Sequence, residues 1–116
     1  EEWLDNIIDL GWKLYLCSTP PFLLQSSVDQ RMNEYTRLAF EGKHTQARQV
    51  RDSLQPVRDA FKASRPHGTP QAHAKYWQEL LGQQGGLVRR PLLQLTRAQK
   101  DFTREQFEKC GLRVAG

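Results

Sequence analysis

A thiol and two hydroxyls stand side by side at Cys17, Ser18 and Thr19, directly ahead of Pro20-Pro21, and on the residues alone this stretch reads as a Ser-Thr-Pro turn. The second thiol, Cys110, lies far along the chain with no metal-ligand spacing to the first. The two therefore read as reduced, half-buried cysteines, which favours a cytoplasmic setting. His67 and His73 are six residues apart and His44 lies elsewhere, so no third ligand falls at useful spacing and no metal is expected. The basic residues Arg37, Lys43, Arg48, Arg51, Arg58, Lys62 and Arg65 are interleaved with Glu34, Glu41, Asp52 and Asp59. Mixed signs at that density describe a solvated helix face, not a phosphate-binding stripe, and a nucleic-acid partner is not expected from the net charge of +4.

Helices must carry most of these groups. Residues 1–10 place Trp3, Leu4, Ile7, Ile8 and Leu10 at helical spacing, and Gly11 follows where a helix stop belongs. Residues 12–17, WKLYLC, read as a strand apolar enough to be buried on both faces. A lone strand cannot satisfy its own backbone groups, so its neighbours must come from another copy or from another part of the same protein. A helix, a glycine, a strand and then more helices is the pattern expected for the last turn of a (β/α)8 barrel. In such a barrel, loops after strands form the catalytic mouth, which would place Cys17, Ser18 and Thr19 there.

The remainder is helical. Residues 28–41 present Val28, Met32, Tyr35, Leu38 and Ala39 on one face, with Ser27 and Gln30 as a capping box and Gly42 as the stop. Residues 45–62 carry a stripe of Ala47, Val50, Leu54, Val57 and Phe61, and Pro56 predicts a kink or break near Gln55. Thr69 with Pro70 opens the next helix, whose face is Ala74, Trp77, Leu80 and Leu81, and Gly82 ends it. Gly85-Gly86 permit a sharp turn into a packed connector at 87–95, where Pro91 argues against a central strand. Thr96 and Gln99 then form a capping box for a last helix through Phe102, Phe107 and Cys110, with a frayed tail beyond Leu112. The fold class is therefore mainly α, with about five helices and one strand.

At 116 residues, with 38% hydrophobic and 26% charged residues, the chain can bury one modest core and is neither disordered nor membrane-embedded in composition. No apolar run approaches the roughly 20 residues a spanning helix needs. The single methionine is Met32 and acid opens the chain at Glu1-Glu2, where a secretory leader would be basic; a fragment or processed product would look like this.

A family resemblance joins these pieces. Lys75, Leu80, Gly82, Gly86, Val88, Arg89, Pro91 and Leu92 spell K-x-x-x-x-L-x-G-x-x-x-G-x-V-R-x-P-L, followed by a polar cap and a final helix. Together with AFEGKHTQARQVRDSLQPVRDAF at 39–61, this resembles the C-terminal end of the dihydrodipicolinate synthase and N-acetylneuraminate lyase family, over nearly the whole chain. Gly11 matches the first glycine of that family's last strand, and the residues after it depart from the pattern.

The resemblance implies a division into 1–41, the last helix-strand-helix part of a TIM barrel, and 42–116, a C-terminal helical extension. It implies a class I aldolase, lyase or hydratase acting on pyruvate or another 2-keto acid. The mechanism would be cofactor-free, a lysine amine forming a Schiff base with the ketone. It further implies that Cys17, Ser18 and Thr19 contact substrate, with the two hydroxyls on the keto acid carboxylate, and that the partners are the rest of the barrel or another chain in a homo-oligomer. Gly11-Trp12-Lys13 looks like the family's G-x-K around the reactive lysine. Lys13, however, lies at the strand start and too close to the helix near Val28 to leave room for further β/α units of roughly 30 residues each. No catalytic residue is therefore assigned to the chain. The alternative is an independent helical interaction or regulatory module without catalysis.

Overall fold

The computed structural model describes residues 4–11 and 24–115. The expected strand at 12–17 lies outside them, as do Trp3, Lys13, Cys17, Ser18 and Thr19. Among the described residues the chain is helical, with no strand: α1 (Leu4–Leu10), α2 (Arg31–Phe40), α3 (His44–Ser53), α4 (Gln55–Ser64), α5 (Pro70–Leu80) and α6 (Arg97–Lys109). Among the described residues, the single helix read over 45–62 is two helices. The chain leaves α3 at Leu54 and restarts at Gln55, so Pro56 falls in a first turn, where its missing amide has no intrahelical partner to lose. The chain divides into two compact units at the same place, between Gln55 and Pro56.

In the first unit α2 packs on α3, and α1 touches both. Leu4, Leu24, Met32, Tyr35, Leu38, Ala39, Ala47 and Leu54 are buried. The link between α2 and α3 follows from Gly42, whose φ of 78° lets the Gly42 N–H donate to Ala39 O and the Lys43 N–H to Leu38 O. Two orphan carbonyls are thereby satisfied in a glycine-dependent stop.

The start of α2 differs from the sequence expectation. The helix begins at Arg31, Val28 is exposed, and no side chain caps it. Ser26 Oγ instead accepts from the Val28 and Asp29 N–H groups, and Asp29 accepts from the Arg31 N–H, so short polar side chains hold a turn where continuous helix was expected. Arg31 also grips Asp29 through Nε at 3.0 Å and Nη2 at 2.7 Å, and its Nη1 donates to Ser53 O at the end of α3. Partial burial alone would raise the Asp29 carboxyl, but the Arg31 hydrogen bonds outweigh it and hold the group below 3.8.

The second unit is built around Trp77 on α5. Its ring meets Phe61 of α4 edge-on at 5.2 Å and Phe107 of α6 at 4.9 Å, so one indole joins all three helices of the unit. Removing a buried indole of this kind costs about 3–5 kcal/mol. The inward face of α5 is Ala72, His73, Trp77 and Leu80, where the sequence pattern had placed Ala74; Ala74 is half-buried. On α6, Thr103 and Phe107 face inward, and Phe102 is exposed. Thr103 is accommodated because its hydroxyl donates to Gln99 O at 2.8 Å.

The capping box of α6 forms as read from the sequence. Thr96 Oγ1 accepts from the Gln99 N–H at 3.2 Å, and Gln99 Oε1 accepts from the Thr96 N–H at 2.9 Å. Thr69 stands at the N-cap of α5 with Pro70 following, but its hydroxyl caps nothing and is buried without a partner. The tail is not frayed as expected: the Ala115 N–H donates to Leu80 O at 2.9 Å, supplying a donor to one of the carbonyls that the end of α5 leaves unpaired.

Candidate functional site

Cys17, Ser18 and Thr19, for which the resemblance implies substrate contact, fall outside the described residues. Among the described residues no group of three or more His, Cys, Asp or Glu side chains comes together as a metal site. Nor is any helix there long and apolar enough to cross a membrane.

What the fold does bring together is a buried serine–histidine pair. Ser64 is the last residue of α4 and His73 lies in the first turns of α5; a short loop returns the chain so that Ser64 Oγ sits 2.8 Å from His73 Nε2. Both residues are buried. The Ser64 hydroxyl also lies 3.3 Å from Phe61 O, a second acceptor within its reach. Whether Ser64 Oγ or Nε2 donates in this contact depends on the imidazole tautomer, and the other ring nitrogen is Nδ1. That nitrogen is buried with no hydrogen-bond partner. Phe61 lies 4.6 Å from the imidazole and Trp77 6.2 Å from it, ring centre to ring centre.

These surroundings decide what the pair can do. A nucleophilic serine needs an adjacent base that can take its proton, a third group to orient that base, and access for a substrate. Here nothing orients Nδ1, both side chains are buried, and aromatic rings flank the imidazole. The pair is a buried polar contact between two helices. Burial, and secondarily the positive charge of Arg65, push the His73 pKa down from 6.5 to about 4, because an imidazolium here would have an N–H with no acceptor. In the sequence His73 stands out only as a possible metal ligand, and nothing marks Ser64. The signal that could have found the pair is the i, i+4 spacing of His73 and Trp77, which puts an imidazole on the apolar face.

A second constellation lies past the end of α5. Gly82, with φ of 82°, ends the helix, and the chain folds back so that Lys75 Nζ donates to Gly85 O at 3.1 Å and the Gly86 N–H donates to Glu79 Oε1 at 3.1 Å. A Cβ at position 85 would stand 2.0 Å from Lys75 O, so the backbone approaches α5 at a distance only glycine permits. The connector then runs to Val88 and Leu95, which are buried with Ala72 and packed by Tyr76. Lys100 Nζ lies 5.4 Å from the centre of the Tyr76 ring, and burial pushes the Tyr76 phenol above 10.0.

Comparison with family models, with curated proteins and with solved structures finds no match to this chain.

Proposed function

We propose that the chain is the C-terminal part of a Schiff-base-forming lyase, aldolase or hydratase-aldolase that acts on pyruvate or another 2-keto acid. In this reading residues 1–41 close a TIM barrel and the later helices brace it. Cys17, Ser18 and Thr19 contact the substrate, with the two hydroxyls on its carboxylate, and the reactive lysine is supplied from outside this segment. The observation that carries the reading is the order of the chain's punctuation. Gly42 closes α2, Pro56 opens α4, Gly82 and Gly85-Gly86 follow α5, an Arg-Arg-Pro-Leu connector comes next, and the Thr96/Gln99 box opens α6. The resembled family has these features in the same order. The second unit's own aromatic core, centred on Trp77, favours a second reading, a self-standing helical interaction module.

Intact mass measurement separates the two. The native protein, purified from its source, is incubated with pyruvate and borohydride, which reduces an imine to a permanent adduct. The expected result is an adduct on a chain longer than this one, at a lysine outside these residues, with the 116-residue chain by itself unmodified. No adduct on the native protein with pyruvate or other 2-keto acids would sink the aldolase reading in favour of the module. An adduct at Lys13 would show that the reactive lysine had been assigned to the wrong part of the protein.

A further inference from the structure

We propose that residues 87–93 are a docking strip for an acidic amphipathic helix of another protein, with Arg89 and Arg90 pairing its carboxylates and Leu87, Leu92 and Leu93 meeting its apolar stripe. The inference rests on the second unit alone and stands whether or not the proposed activity holds. The strip is anchored at both ends, because Val88 and Leu95 are buried against Ala72 and Tyr76. Between those anchors its shape is held by the Leu92 N–H donating to Arg89 O at 3.0 Å and by Gln94 Nε2 donating to Val88 O at 3.0 Å. On this held turn Leu87 is 79% exposed, Leu93 72% and Leu92 47%, and both arginines are exposed. The connector thus folds Val88 and Leu95 inward and leaves three leucine side chains in water, which solvates them poorly.

Charge specifies the occupant. No ion pair among the described residues involves Arg89 or Arg90, as is also true of Arg65, Arg97 and Arg113. The unit they belong to carries eleven Lys and Arg against five Asp and Glu. Two guanidinium groups favour carboxylates, which they grip bidentately, and arginine beside apolar anchors is a frequent composition of binding hot spots. An amphipathic helix with glutamates flanking leucines meets both needs in one element. Nucleic acid fits less well, since the strip has no aromatic side chain on which a base could stack and its leucines would stay in water. An anionic membrane fits less well too, because surfaces of that kind are read by clusters of roughly four to eight basic residues.

The test uses the full chain and a fluorescently labelled helical peptide of Glu and Leu, with Leu along one face, read by anisotropy. Poly-glutamate, a mixed-sequence RNA oligonucleotide and phosphatidylserine vesicles are the comparison probes. Saturable binding of the Glu/Leu peptide is expected, weakened roughly tenfold or more both by Arg89→Glu with Arg90→Glu and by Leu92→Ser with Leu93→Ser. All four positions are exposed, and circular dichroism of each variant should match that of the parent. Absence of saturable binding, binding that neither double variant weakens, equal binding of poly-glutamate, or tighter binding of RNA or vesicles through the same residues would each overturn the proposal.

Discussion

Acid should loosen the second unit through one imidazole. His73 is buried with Nδ1 unpartnered, and its pKa in the fold is lowered from 6.5 to about 4. The unfolded chain therefore holds the proton more tightly than the folded one, and protonation favours unfolding. The stability contributed by the neutral ring is fully present above pH 6.5 and declines as the pH falls towards 4. Below that both states are protonated, and this residue adds no further loss. A gap of that width, at about 1.4 kcal/mol per pH unit, corresponds to about 3 kcal/mol when fully expressed and about 2 kcal/mol by pH 5. Urea unfolding at stepped pH, followed by the indole N–H resonance of Trp77, measures the decline. Carboxylates titrate in the same window, so the quantity that matters is the difference between the parent and His73→Leu, which keeps a similar volume and cannot titrate. The variant is expected to be less stable at pH 7 and to lose about 2 kcal/mol less than the parent between pH 7 and pH 5. If His73→Leu does not fold, the ring resonances of His73 in the parent protein give the titration directly. A parent and variant that lose stability in parallel, or a His73 resonance that titrates near 6.5 while the protein stays folded, would refute the reasoning.

Two further outcomes test the local geometry of the same unit. Gly85→Ala would put a methyl 2.0 Å from Lys75 O, forcing the turn off α5 with loss of the Lys75–Gly85 and Glu79–Gly86 hydrogen bonds; a loss of about 1–3 kcal/mol in thermal or chemical unfolding is expected. Thr96→Ala removes one half of the α6 capping box and should cost about 1 kcal/mol, with faster amide exchange at Gln99 as its local signature.

What was legible in the sequence was what is decided within a few residues. The Thr96/Gln99 box, the stops at Gly42 and Gly82 and the break at Pro56 each depend on one or two side chains acting on their own backbone, and each appears where it was read. The inward faces of helices were less legible. His73 and Thr103 are inside while Phe102 is outside, because a buried imidazole or hydroxyl is made tolerable by a partner that hydropathy does not display: Ser64 from another helix, and the carbonyl of Gln99. The start of α2 was misjudged for a related reason, since Ser26 and Asp29 bind backbone N–H groups in a turn where Ser27 and Gln30 had suggested a cap. The Ser64–His73 contact and the exposed leucines of the connector depend on how α4, α5 and α6 meet, and no local rule states that.

The Arg31 guanidinium has a kinetic consequence for the first unit. It binds Asp29 just before α2 and also Ser53 O at the exit of α3, 22 residues further along the chain than Arg31 itself. One side chain thus closes the helical hairpin at its open end, while Gly42 closes the other. Neither helix can unwind from that end without releasing this contact, so opening of one frees the other. The two helices are expected to exchange their amides as one cooperative element, where unclasped helices would fray independently.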